Sequence, residues 1–487
     1  MNRSAARAST RSLAARLFLL ATLAPGLALA AGSGAAIPET GGQGAGAASA
    51  DAKGLAANPA AASGVGGSEA TLDVALMMLW VRYKRAPYDG SDTAADPDRT
   101  FRSVESYNAA PVPYAAFRSD ALFGGKDARV GLGMSVSVPF GRQVHFPGSF
   151  PGRYHLVTVD YSTIYATPAV SIRPTRSLRI GAGPVVGLTK IRLRQRVDLA
   201  PQLQEAFPGD PPVPPESGLL EGEILVREAE GTSFGATVGG ILDLGERATF
   251  GLSFISQQQS KARGRSTLTP SLDLSLVTKG DFTVTQNLPP IINAGARYRP
   301  DDSPLEFSLE GQWLGWSVNR YFHIEIENSE IASENHDMQT MIDFFAAQGF
   351  DLNEGQIIQT IFDKDQYVAR KYQNAWNFIA GMEQQVSANL RSRLEAGFDR
   401  GAIPDATANI GNVDFDALVL GAGLTWAPKS RPVQVGVAYS QYLNTGREVK
   451  RSAYSTHGTT TEYAYPTGEG TYSALLSRLA VNVAYRF

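Results

Sequence analysis

The stretch that decides the fold lies at the C-terminus, Leu479-Ala-Val-Asn-Val-Ala-Tyr-Arg-Phe487. Successive side chains of a β-strand point to opposite faces, so alternate residues here form one apolar face and one small or polar face. A strand of this kind suits an outer-membrane barrel, which has lipid outside and a hydrated lumen inside, and the terminal aromatic suits its closing strand. The edge of a soluble β-sandwich would alternate in the same way, so this strand alone leaves both architectures open.

The N-terminus favours export. Four arginines precede an apolar run at 17–29, and Ala28-Leu29-Ala30 places small residues where a signal peptidase reads. The run is shorter than the roughly 20 apolar residues that a membrane-spanning helix needs. We therefore predict a signal peptide at residues 1–30, with a retained N-terminal anchor as the alternative, and export to the bacterial outer membrane.

Composition excludes several classes of function. Without the four signal arginines, the 44 basic residues fall to 40 against 47 acidic ones, a balance of about −7. That balance argues against nucleic-acid binding, which needs a concentrated basic face. The chain has no cysteine and five histidines, so neither thiolate chemistry nor a zinc cluster is indicated. We expect no catalytic residues, no metal and no cofactor.

Long alternating segments begin near residue 70 and favour a barrel over a sandwich. Leu305, Phe307 and Leu309 oppose Glu306 and Glu310, and the same opposition of apolar and charged faces recurs along the chain. Charged side chains would be very costly inside a sandwich core, but in a lumen they can pair with each other and with water. The predicted class is therefore all-β, a transmembrane antiparallel barrel.

The connections between these segments alternate in length. Six short turns and seven long loops predict about 14 strands, with both chain ends on the turn side. The predicted turns are 118–127, 174–177, 243–247, 299–303, 387–389 and 427–431, and the predicted loops are 86–102, 142–152, 201–222, 263–282, 328–366, 403–411 and 445–470.

One long loop has helical periodicity, near 331–363. Apolar residues recur there at helical spacing on both sides of Gly349, which predicts two short amphipathic helices. Either the helices pack on each other as a lid, or they leave an apolar groove that collects a ligand. The candidate capture residues are Met341, Phe344, Phe345, Ile358 and Phe362.

The segment at 31–69, which is rich in glycine and alanine near its start, is too poor in apolar bulk to build its own core. Its stretch DAKGLAANPA at 51–60 resembles the N-terminal plug of the FadL-like transporters of long-chain fatty acids and aromatic hydrocarbons. Alanines stand at 56 and 57, where the family often has an aromatic residue. Further stretches similar to the family follow in the same order, at 138–141, 151–154, 178–183, 251–254, 313–316 and 402–405.

The resemblance implies a 14-stranded barrel at 70–487 whose lumen is closed by the segment 31–69. It implies capture of a hydrophobic molecule at the loops, an apolar lumen site, and lateral release through a kink in the third strand. The plug residues would be Gly44, Gly46, Asn58, Pro59 and Ala60, although Asn58-Pro59 could form an ordinary turn. In the kinked strand, glycines suit a bend; its candidate residues are Gly131, Gly133, Pro139 and Phe140.

The expected partners follow from the same interpretation. They are a hydrophobic small molecule, outer-membrane lipid and lipopolysaccharide, and the barrel assembly machinery, which would read the strand that ends at Phe487; no nucleic acid is expected. Two alternatives remain. One is an outer-membrane enzyme, for which His323 beside Glu325 and Glu327 is the candidate constellation. The other is a general polar porin with an open, charged lumen.

Overall fold

We analysed a computed structural model of the chain. The structure describes residues 46–63, 67–86, 103–119, 129–198, 221–270, 277–332, 339, 342–343, 346, 353–452 and 468–487. The predicted signal peptide at 1–30 lies outside these residues, as do Gly44 and most of the predicted loops 86–102, 201–222 and 445–470. No helix among the described residues is both long and apolar enough to cross a membrane.

The described strands form one closed antiparallel barrel of 14 strands. Each strand pairs with the next along the chain, and the last pairs with the first from Glu69↔Arg486 to Arg85↔Gly470. Five strands consist of two segments. The strands are β1 (Glu69–Arg85), β2 (Ser103–Ser119), β3 (Val130–His145), β4 (Thr158–Ile172), β5 (Leu178–Asp198), β6 (Glu221–Leu244), β7 (Ala248–Ile255 and Gln258–Pro270), β8 (Thr278–Leu288 and Ile291–Tyr298), β9 (Leu305–Leu314 and Tyr321–Ile331), β10 (Lys364–Ala369 and Ala375–Ser387), β11 (Leu390–Asp399), β12 (Ala417–Trp426), β13 (Val433–Asn444 and Arg447–Val449) and β14 (Gly470–Arg486).

The alternation in the sequence is confirmed by burial. On β14, Val481 and Val483 are exposed on the outer surface, whereas Ala480 and Asn482 are buried in the lumen. On β9, Leu309 faces outward and Glu310 is buried inside. The barrel therefore presents its apolar residues to lipid and keeps its polar ones in the lumen, which rules out the sandwich.

The strand count is confirmed, but several strands run further than the sequence predicted. β3 continues to His145 and β7 to Pro270, so both enter regions predicted as loops. β5 and β6, of 21 and 24 residues, exceed the roughly 9–11 residues that cross a bilayer. The barrel wall therefore extends beyond the membrane on this side.

Short helices lie between the strands. The predicted loop near 331–363 contains a helix, α1 (Glu354–Phe362), and helical residues at 339, 342, 343 and 346. Single 3-10 turns occur at Ala52–Gly54, Pro59–Ser63, Trp316–Val318 and Asp405–Thr407. The first two belong to the N-terminal segment inside the lumen.

Candidate functional site

Residues 46–63, here called the plug segment, lie inside the barrel. Their alanines are almost completely buried, and Leu55 packs with Tyr114 and Ile241 of the wall. The Tyr114 hydroxyl donates to the carbonyl oxygens of Ala52 at 2.8 Å and Lys53 at 3.0 Å. Burial lowers the pKa of the Lys53 ammonium to about 8. Small side chains let the backbone of this segment approach the wall closely.

Asn58 is the main anchor of the plug segment. Its amide nitrogen donates to Ala47 O at 2.8 Å and to Gly240 O on β6 at 3.0 Å, while its Oδ1 accepts the N–H of Ala60 at 3.0 Å. One side chain thus joins two turns of the segment to the wall. The structure places four of the five predicted plug residues in the lumen, Gly46, Asn58, Pro59 and Ala60, and Gly44 lies outside the described residues.

Wall glycines face the plug segment. A Cβ on Gly131 would lie 2.3 Å from Ala62 O, and a Cβ on Gly133 would lie 2.8 Å from the Leu55 side chain. These two glycines therefore make room for the plug. The bend that the sequence analysis expected at them lies elsewhere, because the β3–β4 register shifts between Ser137 and Phe140. Pro139 sits within that shift and Phe140 at its end.

An opening separates β2 from β3 above the plug. The two strands pair only from Ala115↔Val136 to Ser119↔Leu132, although residues 103–119 and 130–145 are all described. Between 109–114 and 137–144 no backbone ladder joins them. Pro111, Pro113 and Pro139 border this stretch, and proline has no N–H to donate to a ladder. The prolines therefore explain why the wall is unpaired here.

Side chains close the wall again above the opening. The His145 N–H donates to Asn108 Oδ1 at 3.1 Å, and the Ser106 hydroxyl donates to His145 O at 2.5 Å. Asn108 also donates to Ser106 at 2.8 Å. The opening is therefore a window with an upper edge, not a slit that reaches the rim.

A cavity of about 560 Å³ adjoins the window. Its inner part is lined by inward-facing apolar residues of β1, β2 and β14, including Met77, Val112 and Leu476. Its outer part is lined by residues of β4 and β5 whose side chains face the outside, including Asp160 and Lys190. One continuous cavity therefore reaches both faces of the wall at the place where β2 and β3 are unpaired.

The roof of the cavity is the connection at 401–416, here called the roof loop. Val413, Asp414 and Phe415 line the cavity, and residues 407–414 are buried. Asp414 accepts the N–H of Ala402 at 2.5 Å and of Ile403 at 3.2 Å. Burial is the main reason that the pKa of this carboxyl rises to about 7. The loop is thus folded into the barrel mouth by polar contacts to its own backbone.

Aromatic residues fill the lumen beside the cavity. Phe140 of β3 contacts Tyr165 and Trp316 edge-on, with ring centroids 6.1 and 5.2 Å apart, and Trp316 contacts Tyr372 at 5.7 Å. The sequence analysis did not anticipate this cluster, and Trp316 is fully buried in it. Trp313, by contrast, lies directly opposite Trp376 in the β9–β10 register and is half-buried.

The candidate capture residues are only partly described. Met341, Phe344 and Phe345 lie outside the described residues, as does the side chain of Phe362. Ile358 is buried on α1, which packs against the upper segment of β9, and it does not line the described cavity. The described half of the helical loop therefore behaves as a packed lid at this position.

The histidine constellation is an exposed ion-pair cluster. His323 Nε2 lies 2.6 Å from Asp365 Oδ1 and 4.0 Å from Glu325 Oε1, and its ring stacks on Tyr367 at 4.2 Å. These residues lie on the upper segments of β9 and β10, away from the cavity lining.

Two features of the site were missed from the sequence, although each has a signal there. Pro111-Val112-Pro113 interrupts a strand pattern, which indicates an unpaired strand edge. Asn409, Asn412, Asp414 and Asp416 cluster in the roof loop, and such side chains often bond to nearby backbone. Neither signal shows which strand or cavity it would border.

Comparisons with known proteins agree with this architecture. The chain has no match among curated proteins. A Pseudomonas aeruginosa FadL homologue superposes with a TM-score of 0.70 at 16% identity, covering 95% of this chain and 99% of that one. The Ralstonia pickettii toluene transporter TbuX gives 0.61 at 15% identity, covering 94% and 99%. The P. putida toluene transporter TodX gives 0.62 at 13% identity, with the same coverage.

The model of one protein family matches residues 19–487, nearly the whole chain. That family and these solved structures are transporters or channels. The match, the closed barrel and the lipid-facing apolar surface lead to one conclusion: the chain belongs to the outer membrane protein transport proteins (OMPP1/FadL/TodX), and its place is the bacterial outer membrane.

Proposed function

We propose that this chain admits hydrophobic small molecules, long-chain fatty acids or aromatic hydrocarbons, across the polar outer layer and releases them sideways into the membrane. The observation that carries the proposal is the cavity that passes through the wall between β2 and β3. A molecule that leaves there meets lipid and does not have to pass the plug segment. The toluene specificity printed for two similar structures supports the aromatic option.

The energetics require no coupled energy source. A hydrophobic molecule partitions readily into the membrane but crosses a polar sugar layer poorly. Shielding apolar surface is worth about 25 cal/mol per Å², so an apolar cavity lowers the barrier through that layer. The plug segment would meanwhile exclude water and ions, because its buried backbone fills the lumen beneath the cavity.

The charged lumen also bears on the polar-porin alternative. Glu310 accepts the N–H of Ala47 at 3.0 Å, and Arg297 donates to Ser49 at 3.3 Å. These charges hold the plug segment instead of lining an open channel. The lumen polarity that a porin would use is thus engaged in plug contacts.

A matched pair of tryptophan substitutions on β2 tests the proposal. Ala110 lines the cavity at the edge of the window, while Ala109 next to it faces outward. Ala110→Trp should fill the window and lower uptake of radiolabelled toluene or oleate by ~10-fold, equivalent to ~1.4 kcal/mol of added barrier. Ala109→Trp should leave uptake unchanged. Equal uptake by Ala110→Trp, Ala109→Trp and wild type would exclude this window as the exit.

We also propose two partners for the outer surface. Phe487 is the most exposed aromatic residue of β14, and its N–H donates to Ser68 O at 2.9 Å. This terminal strand is the element that the barrel assembly machinery would read. The charged outer faces of β5 and β6 above the apolar band, which pair as Lys190 with Glu230 and Arg194 with Glu223, would lie at the level of lipopolysaccharide headgroups. Folding yield in proteoliposomes with the assembly machinery, with and without Phe487, tests the first partner.

A further inference from the structure

The upper part of β3 is bonded to the roof loop by one side chain, Arg142. Its Nη2 donates to Ile410 O at 3.0 Å and its Nη1 to Gly411 O at 3.3 Å. Arg142 follows the register shift at Ser137–Phe140 and lines the cavity. Its Nε is buried and has no acceptor among the described residues. The guanidinium therefore spans the boundary between the strand at the window and the loop over the cavity.

The roof loop is braced internally, so it can be displaced as a unit. Besides the Asp414 contacts to its backbone, Arg447 of β13 pairs with Asp405 at 2.7 Å and donates to Ile403 O at 2.6 Å. Asn412 donates to Thr407 O at 2.7 Å. A ligand that enters beneath the loop contacts Val413 and Phe415, which belong to this braced unit.

Upper β3 is, in contrast, free of a backbone ladder on its β2 side. It keeps its pairing with β4 up to His145↔Thr158, and its link to β2 is the side-chain contact of Ser106 and Asn108 with His145. A strand edge held in this way moves at less cost than one held by a ladder, because few backbone hydrogen bonds have to break.

We propose that Arg142 is a positioning residue that ties the window to the roof loop, so that a ligand entering under the loop moves upper β3 and widens the exit. This inference rests on the proposed transport function. Arg142 need not bind the ligand; it transmits a displacement through its two carbonyl contacts. A coupling of this kind requires that the roof loop and upper β3 move together.

Two substitutions separate transmission from ligand binding. Arg142→Gln removes the charged fork, and Arg142→Lys keeps the charge but cannot place two diverging donors. Both should lower radiolabelled oleate or toluene uptake by at least ~10-fold, since hydrogen bonds of charged donors shift equilibria by about this factor. The dissociation constant for the same probe, measured on purified protein in detergent, should stay within about twofold. Arg263→Gln, an exposed arginine on the outer face of β7, is the matched control and should leave both unchanged.

A reversible chemical tie tests the same idea by rescue. The chain has no cysteine, so Val138→Cys and Val413→Cys introduce a unique pair, one on β3 and one on the roof loop, both lining the cavity. In the Arg142→Gln background, a reducible bis-thiol reagent should restore uptake, and reduction should abolish it again. Each single cysteine should show no rescue.

The outcomes are distinct. Normal uptake by both Arg142 variants, or no rescue when mass spectrometry shows the cross-link in place, would overturn the role of Arg142. Loss of probe affinity in parallel with uptake would instead make Arg142 a ligand contact. If wild-type protein takes up neither probe, it is the proposed transport function that fails.

Discussion

Gly181→Ala should loosen the plug segment without disturbing the barrel. Gly181 of β5 faces the lumen opposite Gly239 of β6. A Cβ there would lie 2.4 Å from the carbonyl carbon of Pro59 and 2.5 Å from the nitrogen of Ala60. Both atoms belong to plug backbone, so no side-chain rotation relieves the overlap and the segment has to shift.

The magnitude follows from the overlap. Overpacking of this kind costs typically about 1–3 kcal/mol. If that cost falls on the docked plug, the displaced fraction rises by a factor of about 5 to 150. The same strain would weaken the Asn58 contacts at 2.8 and 3.0 Å, because Asn58 directly precedes the displaced residues.

Planar-bilayer conductance is the appropriate assay, since a displaced plug opens the lumen to ions. Gly181→Ala should show more frequent or longer openings than wild type. Gly240→Ala is the control: it lies on β6 one residue from Gly239, and its added Cβ would come no closer than 3.5 Å to Arg179 O. Conductance of Gly181→Ala that matches both wild type and this control would refute close packing between plug and wall.

Three further predictions concern the plug, the lipid face and the roof loop. Deleting 31–63 should raise leakage of small sugars in liposome swelling, and an unchanged rate would mean that this segment does not close the lumen. Val481→Arg, on an exposed outward position of β14, should lower the free energy of unfolding in lipid by about 2–4 kcal/mol if the site lies near the bilayer centre; Thr471→Arg near the upper end of the same strand should cost much less in the same urea titration. The pKa of Asp414 is raised from 3.8 to about 7 in the folded protein, so the folded state binds the proton more tightly, and its contribution to stability is present at low pH and lost as pH rises through this range. Urea midpoints of wild type should therefore fall between pH 5 and 8 relative to Asp414→Asn, and parallel curves would show that Asp414 titrates normally.

The sequence by itself determined the barrel and its orientation to lipid. Period-two alternation along β14 and β9 assigns every side chain to a face, because a strand has two faces and lipid tolerates one kind of residue. The strand count followed from turn and loop lengths, which are local properties. The plug residues Asn58 and Pro59 were found by resemblance to a family.

Only the tertiary structure decided where the window, its cavity and its roof lie. Gly131 and Gly133 gave a local signal for a bend, yet they face the plug, and the shift in register falls at Ser137–Phe140. Arg142 meets Ile410 and Gly411 across 268 and 269 residues of chain. The physical reason is that a site built from several strands and an infolded loop depends on register and lumen packing, and these are set by contacts between segments that no local pattern encodes.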